Sequence, residues 1–326
     1  WATALQLASS RPDIIFVAKL LNHGADPNIC GGAYGTALIV ASSQGHVENV
    51  KELLAKGADI NAQGGTYGTA LQAASLGGHI EVIQVLVEKG VDVNAQGGFY
   101  GTALQVASYG GYIEVVQLLV EKGADVNAQG RTYGTALQAA LYRGHIEVIQ
   151  LLVEKGADVN AQSSAYGTAL QAASFGGYIE VIQLLLEKGA DVNAQVVFKD
   201  GAALYAASYQ GHIEVIQLLV EKGADVNAQD GAALYAASYE GHIEVIQLLI
   251  EKGADVNAQG GTYMTALQAA LSRGHTKVVQ LLVEKGADGK SLGGPFESAL
   301  RAAAAKKRDE ITKLLYADRV DLKISI

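Results

Sequence analysis

This chain is poor in several things, and each shortage excludes something. A single cysteine, Cys30, stands in 326 residues, so no internal disulfide can form. With no Asn-x-Ser/Thr acceptor either, the pattern fits a reducing, cytoplasmic (intracellular) setting. No run of about eighteen apolar residues occurs, which argues against a membrane-spanning helix. Basic residues do not dominate: 24 Lys and Arg against 33 Asp and Glu leave a net charge of −9. The acidic residues are spread along the chain, so there is no basic face of the kind nucleic acid requires. Proline is down to three residues while glycine reaches 39. That balance suits many short helices separated by glycine turns. The glycines lack P-loop or dinucleotide-binding spacing, so no small-molecule cofactor is expected. The chain opens at Trp1, inside a repeat and without a signal-like segment, which leads us to expect a piece of a longer protein.

What the chain does have is periodicity. The motif Thr-Ala-Leu places leucines at Leu5, Leu38, Leu71, Leu104, Leu137, Leu170, Leu204, Leu234, Leu267 and Leu300, spaced by 33 except for one 34 followed by one 30. Within a unit, Thr69 is placed to cap a first helix running through Ala70, Leu71 and Ala74. Gly77-Gly78 breaks it. His79 opens a second helix whose Ile80, Ile83, Leu86 and Val87 line one face. Gly90 stops that helix, and Asp92 and Asn94 lead into a finger that joins the next unit. One unit cannot bury its apolar face alone, so the units must stack, as a curved rod on the order of 90 Å long at 8–10 Å per step. We expect a single domain over 1–326, with a cap-like first repeat at 1–32, marked by Arg11-Pro12-Asp13. A C-terminal cap at 295–326 is marked by Lys306-Lys307-Arg308-Asp309.

The wording G-T-A-L-Q-A-A-S-x-G-G-H-I-E-V-I-Q-L-L-x-E-K-G-A-D-V-N-A-Q resembles the ankyrin repeat over essentially the whole chain. It departs from that family in writing Thr69-Ala70-Leu71-Gln72 for the usual Thr-Pro-Leu-His, and a Gly-Gly-x-Tyr-Gly finger, as at Gly64 to Gly68. Repeats written so are similar to those of fungal ankyrin proteins, including the sensor region of NACHT-type, NLR-like receptors. The resemblance implies an all-α ankyrin-repeat solenoid of about ten helix–turn–helix units with short β-hairpin-like fingers. It also implies a protein partner bound through the concave groove and finger tips. No matching position is a catalytic residue in that family.

Where the framework repeats itself, candidates for recognition are the positions that change. One set is the finger tip, with Thr66, Phe99, Thr132 and the neighbouring Arg131. Another is the pair ending the first helix: Tyr109, Tyr142-Arg143, Phe175, Tyr209-Gln210, Tyr239-Glu240 and Arg273. Tyr, Phe and Arg dominate binding energetics, and together these residues would line an aromatic, weakly acidic groove. The bland alternative is that the rings only shield the helices from water. A third set, Val197, Phe198 and Lys199, flanks the irregular spacing. There the finger shrinks to Gln229-Asp230-Gly231-Ala232, while Thr and Gln give way to Ala202, Ala232, Tyr205 and Tyr235. If Thr and Gln cooperate to hold a full finger, a remodelled finger releases both. The result is either a notch with an apolar patch beside it or a tolerated recombination scar.

Other repeated residues read as structural. Tyr34, Tyr67, Tyr100, Tyr133, Tyr166 and Tyr263 suit finger-on-finger stacking, and Gln72, Gln105, Gln138 and Gln171 suit a bridge from unit to finger. The recurring histidines would suggest metal or base chemistry, but Tyr112 and Tyr178 replace them in intact repeats, which keeps a hydrogen bond and loses zinc affinity. No titratable groups converge, so an enzyme is not expected. The expected function is a protein-recognition scaffold, the alternative a structural spacer or self-associating rod.

Overall fold

A computed structural model describes residues 3–99, 101–130, 132, 134–162, 167–194, 202–260 and 264–288. Arg131, Val197, Phe198, Lys199, four of the finger tyrosines (Tyr100, Tyr133, Tyr166 and Tyr263), Leu300 and the expected C-terminal cap lie outside them. The described residues form eighteen α-helices in pairs, one 3-10 turn and two strands of two residues each. The chain divides into two compact units, Trp1–Ala169 and Leu170–Ile326.

In the first unit the inner helices are α1 (Ala4–Ser9), α3 (Ala37–Ser43), α5 (Ala70–Leu76), α7 (Ala103–Gly110) and α9 (Ala136–Arg143). They alternate with outer helices α2 (Ile14–Asn22), α4 (Val47–Ala55), α6 (Ile80–Glu88), α8 (Ile113–Glu121) and α10 (Ile146–Glu154). Each inner helix packs on the next inner helix and each outer helix on the next outer one. Alanines make the inner stack close: Ala70, Ala73 and Ala74 are fully buried, as are Val82, Ile83 and Leu86 of the outer helix. The repeat leucines Leu5, Leu38, Leu71, Leu104 and Leu137 sit in this core, and in the second unit so do Leu170, Leu204, Leu234 and Leu267.

The second unit carries inner helices α13 (Ala203–Gln210), α15 (Ala228–Glu240) and α17 (Ala266–Arg273), with outer helices α12 (Ile179–Glu187), α14 (Ile213–Glu221), α16 (Ile243–Glu251) and α18 (Thr276–Glu284). The inner helix α11 spans Ala169–Gly176. No helix among the described residues is long and apolar enough to cross a membrane.

Inner helices α1, α5, α7, α9 and α17 start at a reciprocal cap. In α7 the Gln105 amide donates to Thr102 Oγ1 at 3.3 Å, and Gln105 Oε1 accepts from the Thr102 amide at 2.8 Å. This is the Thr-x-x-Gln capping box. Gln105 also reaches the following finger, donating to Ala128 O at 2.8 Å and Gly134 O at 2.7 Å. Gln138 does the same for the next one, at Ala161 O and Gly167 O. One buried amide therefore joins a helix start to a finger, as the sequence reading expected of the glutamines. The fingers are tight antiparallel reversals, bridged at Gly31–Gly35, Gly64–Gly68, Gly97–Gly101 and Gly130–Gly134, and drawn out into β1 (Gln259–Gly260) and β2 (Met264–Thr265) in the second unit.

The outer edge holds a device that sequence reasoning missed. Asn127 donates to Gly156 O at 3.2 Å and accepts from the Asp158 amide at 2.7 Å. Asn28 and Asn94 make the same pair of bonds in the first unit, and Asn193, Asn227 and Asn257 in the second. Each asparagine binds the glycine carbonyl that ends the next outer helix. The separation from asparagine to that glycine is 29 residues at Asn127 and Asn257, 30 at Asn193 and 26 at Asn227. The insertion and deletion are thus absorbed on the finger side, and the outer joint closes regardless.

The shortened finger is a run of three left-handed residues, Gln229 (φ 52°, ψ 48°), Asp230 (φ 55°, ψ 41°) and Gly231 (φ 80°, ψ 25°). The first two are the non-glycine residues with positive φ among those described. The finger shrinks there as expected, to a tight left-handed coil with no finger beyond it. As expected, the cap goes too: Ala202, at the start of α13, offers no side-chain bond.

Candidate functional site

The inner-helix ends are positioned from the following repeat. His145 Nε2 lies 3.0 Å from Tyr109 O, and in the second unit His212, His242 and His275 lie 3.2, 3.0 and 3.0 Å from the carbonyls of Phe175, Tyr209 and Tyr239. A carbonyl can only accept, so the ring nitrogen donates. The histidines therefore tie down the backbone of the very residues whose side chains vary. A glycine two residues beyond each accepting carbonyl leaves room for the ring: Gly111 has φ +75°, and a Cβ there would lie 2.5 Å from His145. Among the described residues no group of three His, Cys, Asp or Glu is placed to hold a metal.

In the first unit these ends make one compact cluster. Tyr109 and Tyr142 stack with centroids 6.3 Å apart and planes inclined by 13°. The Arg143 guanidinium sits 4.9 Å over the Tyr109 ring and donates to its Oη at 3.4 Å. Tyr142 remains 57% exposed. The finger tips form a chain of their own, with the Thr66 amide donating to Ala33 O at 2.9 Å, the Phe99 amide to Thr66 O at 3.3 Å, and Thr132 Oγ1 to Phe99 O at 2.6 Å. The Thr66 and Thr132 hydroxyls both bond neighbouring carbonyls, while the Phe99 ring projects outward, 62% exposed. Backbone joins finger to finger here, and Tyr34 stands mostly exposed.

The second unit has a different cluster. Tyr205 stacks on Tyr209 at 6.2 Å, and Tyr235 on Tyr239 at 6.0 Å. Arg273 lies 4.3 Å over the Tyr239 ring and 3.4 Å from Glu240 Oε1. A hydrogen bond to the Glu240 carboxylate, and its negative charge, hold the Tyr209 phenol above its ordinary range. Gln210 is half-buried beside them, and Phe175, elsewhere in this unit, is 53% exposed. Tyr205 and Tyr235 were not among the candidates. Their signal was the replacement of Gln by Tyr four residues before another Tyr, a spacing that puts two rings on one helix face.

One expectation needs correcting. The inner helices of the first unit are not weakly acidic, because Arg143 is the single charged residue in α1, α3, α5, α7 and α9. Among the described residues the acidic groups other than Asp230 and Glu240 of α15 lie on outer helices and outer loops, and averaging over the whole sequence concealed that segregation.

A model of ankyrin repeats (3 copies) matches residues 63–130, 129–196, 197–260 and 234–325, and one of ankyrin repeats (many copies) matches 38–87. Among solved structures, the chain is similar to the human ASB11 ankyrin repeat domain, with a TM-score of 0.58 and 25% identity, over 69% of this chain and 99% of that one. No curated protein matches it significantly.

Proposed function

The chain belongs to the ankyrin-repeat family, whose repeats generally mediate protein–protein interaction, and on that premise we propose a non-catalytic recognition scaffold. It binds a protein partner through its inner-helix ends and finger tips, as the sensor or docking part of a larger intracellular protein. The observation that carries this reading is that the positions varying between repeats present exposed rings, Phe99 and Phe175 on backbone that neighbouring repeats hold in place, and Tyr142 stacked on Tyr109 of the repeat before. Ordered aromatic anchors of this kind supply much of the energy at protein interfaces. Arg131, Val197, Phe198 and Lys199 belong to the same proposal on their sequence positions. The sensor role draws on the likeness of the repeat wording to fungal NLR-like receptors, and the intracellular setting on the lone, unpaired Cys30.

The test is a partner isolated by affinity capture from the source organism, measured against the double variant Y142A/F175A. We expect affinity to fall at least about tenfold with melting little changed; unchanged affinity refutes the reading. The competing reading is a structural spacer or self-associating rod. A mass that falls on dilution, with no partner captured, would favour the rod.

A further inference from the structure

We propose that Arg143 is the anchor for a carboxylate of an acidic segment in the partner, and that Arg273 is not such an anchor. This rests on the recognition reading above and gives its partner a chemistry. Both guanidiniums sit over a tyrosine of the preceding repeat, at 4.9 and 4.3 Å, so the two sites begin alike. They differ in what else they touch. Arg273 is 3.4 Å from Glu240, whose carboxylate also takes the Tyr209 phenol, so that site is neutralised from within. Arg143 has no acidic partner among the described residues; its bond is to the phenol of Tyr109. It is exposed, and it is the one charge on the inner helices of its unit.

A guanidinium carries five N–H donors in a planar fork. Stacking on Tyr109 restrains the plane and leaves most of the fork open. The group that fits an open fork is a planar carboxylate, bound through two parallel N–H bonds. A single guanidinium matches one negative charge, whereas a phosphate dianion calls for a cluster of cations. The exposed Tyr142 ring beside it suits an apolar or aromatic residue close to the acid in the partner's sequence. The chain's overall negative charge does not prevent this. In its own unit the described acidic groups lie on outer helices and loops, and screening acts over about 8 Å at physiological salt.

The test is selection of a random dodecapeptide library, displayed on phage, against the full chain and against its R143E and R273Q variants, each first checked for unchanged melting. The wild-type pool should be enriched in Asp and Glu beside apolar residues, the R273Q pool likewise, and the R143E pool should turn toward Lys and Arg. An individual selected peptide should bind R143E at least about tenfold more weakly, the order expected for a lost charge-assisted bond. A wild-type pool without acidic preference, or a preference that survives R143E, overturns the proposal while leaving the recognition reading intact. If no version enriches any peptide, the recognition reading fails and takes this one with it.

Discussion

The repeat that starts at Thr102 and the one that starts at Ala232 solve the same local problem differently. In the first, a buried glutamine completes the helix cap and holds two carbonyls of the finger ahead. In the second the left-handed turn at Gln229–Gly231 stands behind the helix, the finger ahead is the β1–β2 reversal, and a tyrosine occupies the glutamine's place. There the position turns to its own helix face: Tyr235 lies against Tyr239, next to Arg273. One position thus serves as a structural pin or as part of an aromatic cluster. The Thr-to-Ala and Gln-to-Tyr changes go together because they are the two members of one capping box.

This contrast predicts unequal losses. Gln105→Ala strips half of a capping box, leaves the Ala128 carbonyl without its donor and takes one of two donors from Gly134 O, which should cost about 3 kcal/mol. Tyr235→Ala removes a half-exposed ring and should cost about 1 kcal/mol. Urea midpoints at an unchanged denaturant slope would measure both, and equal losses would erase the distinction. A smaller effect of opposite sign is expected in the turn itself. Gln229→Gly relieves a non-glycine residue held at φ 52° and should raise stability by about 1 kcal/mol; a loss would mean that the glutamine side chain holds the turn.

The smallest effect is electrostatic. Glu240 favours the neutral Tyr209 phenol, so its contribution to stability is complete below the ordinary tyrosine range and is lost as pH climbs through the raised value. In Glu240→Gln the Tyr209 phenol should ionise at lower pH than in the parent chain, read from the 13Cζ tyrosine resonances. An unmoved titration would show that the carboxylate does not face that ring.

Periodicity made the fold legible. The repeat leucines, the Thr caps and the glycine stops all follow from residues a few positions apart, and the structure has them where expected among the described residues. The joints between repeats were harder to read, because their partners lie 29 and 31 residues apart at Asn127. A recurring Asp-x-Asn looks the same whether or not it bonds the neighbouring unit. The site was legible as a list of varying positions and not as chemistry. Arg143 and Arg273 look equivalent in sequence, each preceded by a tyrosine one repeat earlier. What separates them is an acid at Glu240 where the first unit has Gly110. Asp230-Gly231 is a pair that announces a tight turn, whereas Gln229 gave no warning of positive φ.

The asparagine joint has a consequence for heredity. The joints at Asn28, Asn94, Asn127, Asn193, Asn227 and Asn257 ask the same of their neighbours, a glycine carbonyl ending one helix and an aspartate amide just beyond it, and they close over 26, 29 or 30 residues. Unequal exchange between such near-identical units changes copy number or trims a finger without breaking that joint, so a lineage can recut the finger edge while inheriting the spine unchanged.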